Sequence, residues 1–241
     1  MRAWLGAALA VVLCIALSGC MYPNEMKKQN QVASGEYLLL VQNAIDQYKA
    51  KTSVLPIKNS DETTPLYEKY PIDFSKLKGR YLSEIPANAF ENGGTAIYVL
   101  VDAETKPTVK MMDLTSFQQT VELQKRVDEY KSKYGGQLPL GDTVSQGFHY
   151  IDFGKLKIKP EQVRSMYSPQ VFLPFLVHDS GHVAIDYAPE IMRIIDKQQL
   201  QGKLDASQDL RELLVKNSNF VPSRSYAYRW QNNTPVPITA P

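Results

Sequence analysis

The chain repeats itself, and the repeat limits the possible folds more than any other feature. Residues 44–57 (AIDQYKAKTSVLPI) are echoed by residues 126–140 (RVDEYKSKYGGQLPL). Asp46, Tyr48, Lys49 and Lys51 match Asp128, Tyr130, Lys131 and Lys133 at a constant shift of 82 positions. Leu55-Pro56 then matches Leu138-Pro139 one residue further along. Downstream, Ile72-Asp73-Phe74-Ser75-Lys76-Leu77 faces Ile151-Asp152-Phe153-Gly154-Lys155-Leu156, with one difference in six. Each copy continues into two apolar stretches around a turn, AIYVLVD…TVKMMDL and FLPFLVHDSGHVAIDY. Two matches in the same order at similar spacing point to a duplicated structural unit.

Local patterns say what each unit is. Leu38, Val41, Ile45 and Tyr48 recur at three- and four-residue steps, which predicts an amphipathic helix from Ser34 to about Lys51. Leu123, Val127 and Tyr130 do the same in the second copy, behind a Ser116-x-x-Gln119 capping box. Asn92-Gly93-Gly94 supplies turn chemistry before the β-formers Thr95 to Val101, and Pro107 precedes a partner strand, Thr108 to Leu114. In the second copy Gly181 suits the left-handed position of a three-residue hairpin loop. The repeated Ile-Asp-Phe segment reads as a structural turn or short strand, with Phe74 and Phe153 buried. The predicted class is α+β: two tandem pseudo-symmetric units, each a helix followed by a small antiparallel sheet, plus C-terminal helices. Unit 1 spans 34–114 and unit 2 spans 115–188. A helical segment, 189–219, begins at Pro189 with Ile191, Ile194 and Ile195 on one face; Asp205 or Ser207 caps a further helix carrying Leu210, Leu213 and Leu214. Residues 220–241 are proline-rich without periodicity and read as an extended or disordered tail.

The first twenty residues carry a different message. In MRAWLGAALAVVLCIALSGC, one basic residue precedes an apolar run that ends in small residues, the pattern of an export signal over residues 1–19. The run is too short to cross a bilayer comfortably. Residues 20–33 are polar and read as a tether, roughly 40 Å long if fully stretched. Only two cysteines occur, Cys14 and Cys20, so beyond position 20 there is no disulfide, thiol nucleophile or cysteine metal ligand. The 27 Lys+Arg and 25 Asp+Glu leave a formal charge of +2, which argues against nucleic acid as a partner.

Leu17-Ser18-Gly19-Cys20 resembles the lipobox of bacterial lipoproteins, and the whole chain resembles uncharacterised lipoproteins of Bacillus-type Gram-positive bacteria. The resemblance implies a diacylglyceryl group on Cys20, cleavage ahead of it, and a location on the outer face of the cell membrane. Each unit also resembles the soluble part of type II secretion pseudopilins, through Tyr48-Lys49, Pro56, Pro86, Asn92-Gly93 and Tyr98 in the first copy. That likeness bears on the fold only, because the prepilin-peptidase motif and long assembly helix of that family are missing.

Candidate chemistry gathers in the second unit and the tail. His149, His178 and His182 are the only histidines, and the HDSGH hairpin could set His178 opposite His182 to share a metal ion, with Asp179, Asp186 or His149 as a third ligand. Ser180 beside His178 and Asp179 superficially offers a catalytic triad, but neighbours along a strand alternate faces and do not converge. No metal, cofactor or catalytic residue is expected. Tyr226, Tyr228, Arg229 and Trp230 are the partner-binding candidates, since Arg, Tyr and Trp dominate interaction hot spots. The expected function is a non-catalytic binding or scaffold lipoprotein that contacts another envelope protein or a wall polymer. The alternatives are a solute-binding lipoprotein of an ABC transporter, and a metal-binding protein or metal-dependent enzyme using the histidines.

Overall fold

In the computed structural model, residues 23–239 are described. Helix α1 runs Pro23–Thr52 and is followed by the hairpin β1 (Ala96–Val101) and β2 (Thr108–Asp113). The second copy repeats this as α2 (Leu114–Lys133), β3 (Leu140–Ser145), β4 (Phe148–Ile151), the one-turn helix α3 (Phe153–Leu156), β5 (Val163–Arg164), β6 (Phe172–Leu173), β7 (Phe175–His178) and β8 (Val183–Ile185). Unit 2 thus holds a four-stranded sheet of order β3-β4-β7-β8, every pair antiparallel. Unit 1 has the same plan with its first two strands shrunk to single bridges: Ile57 pairs with Ile72, and Pro71 pairs with Val99 of β1. In each unit the apolar face of the helix closes the core. Val41 and Ile45 pack with Phe74, Tyr98 and Met111, whereas Leu123 and Val127 pack with Phe175, Val183 and Ile185.

The duplication read from the sequence extends to individual hydrogen bonds. Asp73 N–H donates to Pro56 O and Asp152 N–H to Pro139 O, both at 2.8 Å. Each aspartate then caps the short helical turn behind it: Asp73 accepts from Ser75 N–H, and Asp152 accepts from Gly154 and Lys155 N–H. Lys76 Nζ reaches back to Ile57 O (3.0 Å), as Lys155 Nζ does to Leu140 O (2.8 Å). This is why Ile-Asp-Phe-x-Lys-Leu recurs. Phe74 is buried, and Phe153 is partly buried against the second core.

A pair of glutamines outside the sequence reading completes the symmetry. Gln42 Oε1 accepts from Val109 N–H (2.8 Å), while its amide nitrogen donates to Pro107 O (3.0 Å) and Asp46 Oδ1 (2.9 Å). Gln124 Oε1 accepts from Val183 N–H (2.7 Å), and its amide donates to Gly181 O (2.9 Å) and Asp128 Oδ1 (2.9 Å). One side chain in each helix therefore pins the last strand of its own sheet, with a carboxylate one turn on orienting the amide.

Three expectations change. Helix α1 begins at Pro23, so most of the segment read as a tether is helical. PNEMKKQNQ lacks apolar periodicity, but once a docked helix exists, adding residues of high propensity needs no new nucleus. The second helix starts two residues before Ser116, capped by Asp113, whose carboxylate accepts from Ser116 N–H (2.8 Å) and Ser116 Oγ–H (2.5 Å). A charged acceptor at that position outcompetes a serine.

The third change concerns the C-terminus. Helices α4 (Ala188–Gln198) and α5 (Arg211–Asn217) bury the expected faces, including Ile191, Ile195, Leu210 and Leu214. Asp205 turns the chain by accepting from Ser207 N–H (2.6 Å), but α5 itself starts only at Arg211. Of the extended and disordered readings of the tail, the structure has the extended one, ordered as the antiparallel hairpin β9 (Ala227–Gln231) and β10 (Thr234–Ile238), turning at Asn232 and Asn233, both with positive φ. Two asparagines can take that left-handed pair of positions. Pro235 and Pro237 alternate on β10, where they lack N–H groups and fit only at positions facing away from β9. Before the hairpin, residues 219–225 strap the units together. Met111 N–H donates to Asn219 O and Val221 N–H to Met111 O (both 2.9 Å) in unit 1, and Ile185 N–H donates to Arg224 O (2.8 Å) in unit 2. Lys110 Nζ ties down the end of α5 through Val215 O (2.8 Å) and Ser218 O (2.5 Å).

Candidate functional site

The histidine hairpin and the tail meet. His178 N–H donates to His182 O (3.0 Å), so the two residues do face each other across the turn, with Gly181 at φ 95°. A tyrosine ring, not an open position, faces both imidazoles. The Tyr226 centroid lies 5.7 Å from His178, 5.4 Å from His182 and 4.8 Å from Phe148, edge-on to the last two. His149 stands apart, between Thr143 Oγ1 and Asp179 Oδ1 (each 3.2 Å). Among the described residues no three His, Cys, Asp or Glu side chains gather to hold a metal ion. Asp186, the other acid considered as a ligand, is buried elsewhere and accepts from Tyr228 Oη–H (2.8 Å) and Ala188 N–H (2.9 Å). Burial raises its carboxyl above the ordinary aspartate range, against the pull of those bonds.

Ser180, His178 and Asp179 do not form a relay. Ser180 N–H donates to His178 Nδ1 (3.1 Å), which puts the proton of the neutral ring on Nε2, and the serine hydroxyl lies 2.9 Å from the same nitrogen. The acid orients His149 instead of His178. Burial lowers the affinity of His182 for a proton, Arg224 and His178 lower it further, and Asp128 opposes them.

The four tail residues separate. Tyr228 is fully buried: its hydroxyl accepts from Tyr187 N–H (3.0 Å) and donates to Asp186, so it cannot meet a partner. Trp230 packs partly against the second core, and Arg229 is half-buried. Tyr226 is spent on the histidines. The R-x-Y-x-Y-R-W pattern marks a strand that anchors itself through alternate residues.

A larger concave region lies elsewhere, between the units, and no sequence motif announces it. Two adjoining hollows share Ser34, Met166 and Phe220. One, about 530 Å³, is walled chiefly by Tyr37, Ala87, Ala96, Met166, Pro169 and Phe220. The other, about 790 Å³, is bordered by Arg193, Asp196, Lys197, Asn217, Ser218 and Asn219. Unit 1 contributes α1 and the 87–96 loop; unit 2 contributes the 164–169 loop; α4 and the end of α5 close the far side. The 87–96 loop is held by a close backbone crossing: a Cβ on Gly94 would lie 2.1 Å from Asn88 O, so only glycine fits. At the back of the polar hollow, buried Glu190 accepts from Ser165 Oγ (2.5 Å) and Ser168 Oγ (2.8 Å) and fixes the 164–169 loop.

The first unit is where the chain is similar to something known. Residues 34–113 match the YphF family N-terminal domain. The match covers a third of the chain, from Ser34 within α1 to Asp113, the aspartate that caps α2. No curated protein and no solved structure matches the chain. The matched unit supplies one wall of the cleft, and the second unit supplies the other. Among the described residues no helix is long and apolar enough to cross a membrane.

Proposed function

We propose that this is a lipid-anchored protein on the extracytoplasmic face of the cell membrane, attached through Cys20, which binds a ligand or an envelope partner without catalysing a reaction. The observation that carries the binding part is the cleft: two units of one design are strapped together so that a concave surface is lined from both. The anchor rests on Leu17-Ser18-Gly19-Cys20, which lies outside the described residues. Hollows of several hundred Å³ between two units are a usual place for small-molecule sites. The binding reading is favoured over the metal alternative because His149 is held by Asp179 and His178 by Ser180.

The cleft also favours the solute-receptor alternative over a flat scaffold surface, although the units are small α+β bodies and not α/β lobes. Two measurements test the proposal. Growth with a fatty-acid analogue must label the wild-type chain, and Cys20→Ala must abolish the label; label retained in the variant removes the anchor. A photo-crosslinking residue at Asn219, beside the cleft, should yield one defined adduct in intact cells, and the same residue at Glu129 on the far helix should not. Equal capture from both positions would remove the cleft as the binding surface.

A further inference from the structure

The two hollows of the cleft differ in chemistry, and the difference names a ligand. The smaller is walled chiefly by Tyr37, Ala87, Ala96, Met166, Pro169 and Phe220 and is apolar over most of its surface, with Asp113 and Arg164 also at its wall. The larger is polar, and its acids are already in use. Glu190 is held by two serine hydroxyls and lies 3.6 Å from Arg193, while Asp196 accepts from Gln201 (2.8 Å). Its cations are less satisfied: Lys197 has no acceptor among the described residues, and Arg193 is exposed with only that long contact. An apolar hollow that opens into a polar one with spare positive charge fits a molecule with a hydrocarbon part and an anionic head.

Position points the same way. The cleft opens at Ser34, eleven residues after α1 begins at Pro23. At 1.5 Å per helical residue that is about 16 Å along the helix. The three residue steps from Cys20 to Pro23 add at most about 10 Å. With most of the supposed tether helical, the cleft is held near the lipid surface instead of roaming on a flexible leash. From these observations we infer that the cleft takes one acyl chain of an anionic membrane phospholipid, the chain lying against Met166 and Phe220 and the phosphate meeting Arg193 and Lys197. The inference rests on the anchored, ligand-binding reading above and names its ligand.

The test uses the full chain in vesicles of phosphatidylcholine containing a phosphatidylglycerol probe with a photoreactive group in one acyl chain. After illumination, adducts are mapped by mass spectrometry. Adducts are expected on the peptides carrying Tyr37, Met166 or Phe220, with adducts on residues 20–33 serving as the reference for membrane attachment. Met166 is partly exposed, so Met166→Glu should fold normally, and its charge in the apolar hollow should lower the cleft-to-reference ratio at least about fivefold. Lys197→Glu should lower it through the headgroup. Adducts confined to residues 20–33, or cleft adducts unchanged in both variants, would overturn the inference while leaving the anchor intact. Conversely, cleft labelling of Cys20→Ala by the soluble lyso-form of the probe supports the cleft even if the fatty-acid label shows no anchor.

Discussion

Removing the helix glutamine from either unit should cost nearly the same, because the two make the same bonds. In Gln124→Ala the amide of Val183 loses its acceptor at 2.7 Å, and Gly181 O loses its donor at 2.9 Å. Val183 is fully buried, so water does not readily replace the lost partner. Two net hydrogen bonds at about 1 kcal/mol each, plus the desolvation of an orphaned N–H, give a loss of roughly 2–4 kcal/mol. Gln42→Ala removes the equivalent pair at Val109 and Pro107, where Val109 is also buried, and falls in the same range. For a body of this size that corresponds to a Tm lower by roughly 4–16 °C. Urea unfolding of both variants measures it. Gln124→Glu keeps the acceptor but turns a donor into a carboxylate facing Asp128 and Gly181 O, so it should be at least as damaging at neutral pH and should recover partly in acid. If both alanine variants stay within about 0.5 kcal/mol of the parent, these glutamines do not clamp helix to sheet.

Three further outcomes follow from other contacts. His182 has its folded pKa below the ordinary 6.5, so the unfolded chain takes the proton more readily. Its contribution is therefore complete above that value and is lost as pH falls below it; His182→Gln should flatten the stability profile there, and an unchanged slope would clear this residue. Tyr228→Phe strips Asp186 and the Tyr187 amide of a buried partner and should cost about 1–3 kcal/mol by urea titration, whereas Tyr226→Phe, on a half-buried ring whose hydroxyl bonds to the exposed Ser180, should cost under about 1 kcal/mol. Lys110→Met keeps the apolar stem but abandons two carbonyls at the end of α5, for a loss of about 1.5–3 kcal/mol and faster amide exchange in residues 213–218.

How much was legible depends on whether the signal was local. The two-unit plan could be read because both copies preserve the same cap, the same proline turn and the same helix stripe, each encoded within a few residues. Gln42 and Gln124 were readable in principle: they share the 82-residue shift of Asp46 and Asp128, four positions earlier. Their partners lie more than fifty residues away, so nothing nearby marked them. The tail misled for a related reason. Two prolines in five residues suggest disorder, but on an edge strand they occupy positions that need no donor. Tyr228 looked like surface because its acceptor, Asp186, belongs to another segment. The cleft has no motif at all, since its walls come from segments whose only connection is the packing of one unit against the other.

The strap carries a consequence for how the protein is made. Residues 219–225 pair with β2 of the first unit and with β8 of the second, and Leu210 and Tyr187 both bond to Tyr228 in the hairpin beyond. Each unit keeps the core that its own helix closes, but β2 and β8 lack these backbone partners until the strap docks. A chain synthesised from its N-terminus gains those partners only after residues 219–225 have emerged. A stop anywhere before residue 219 should therefore leave β2 and β8 with unpaired backbone groups and two looser units in place of one strapped body.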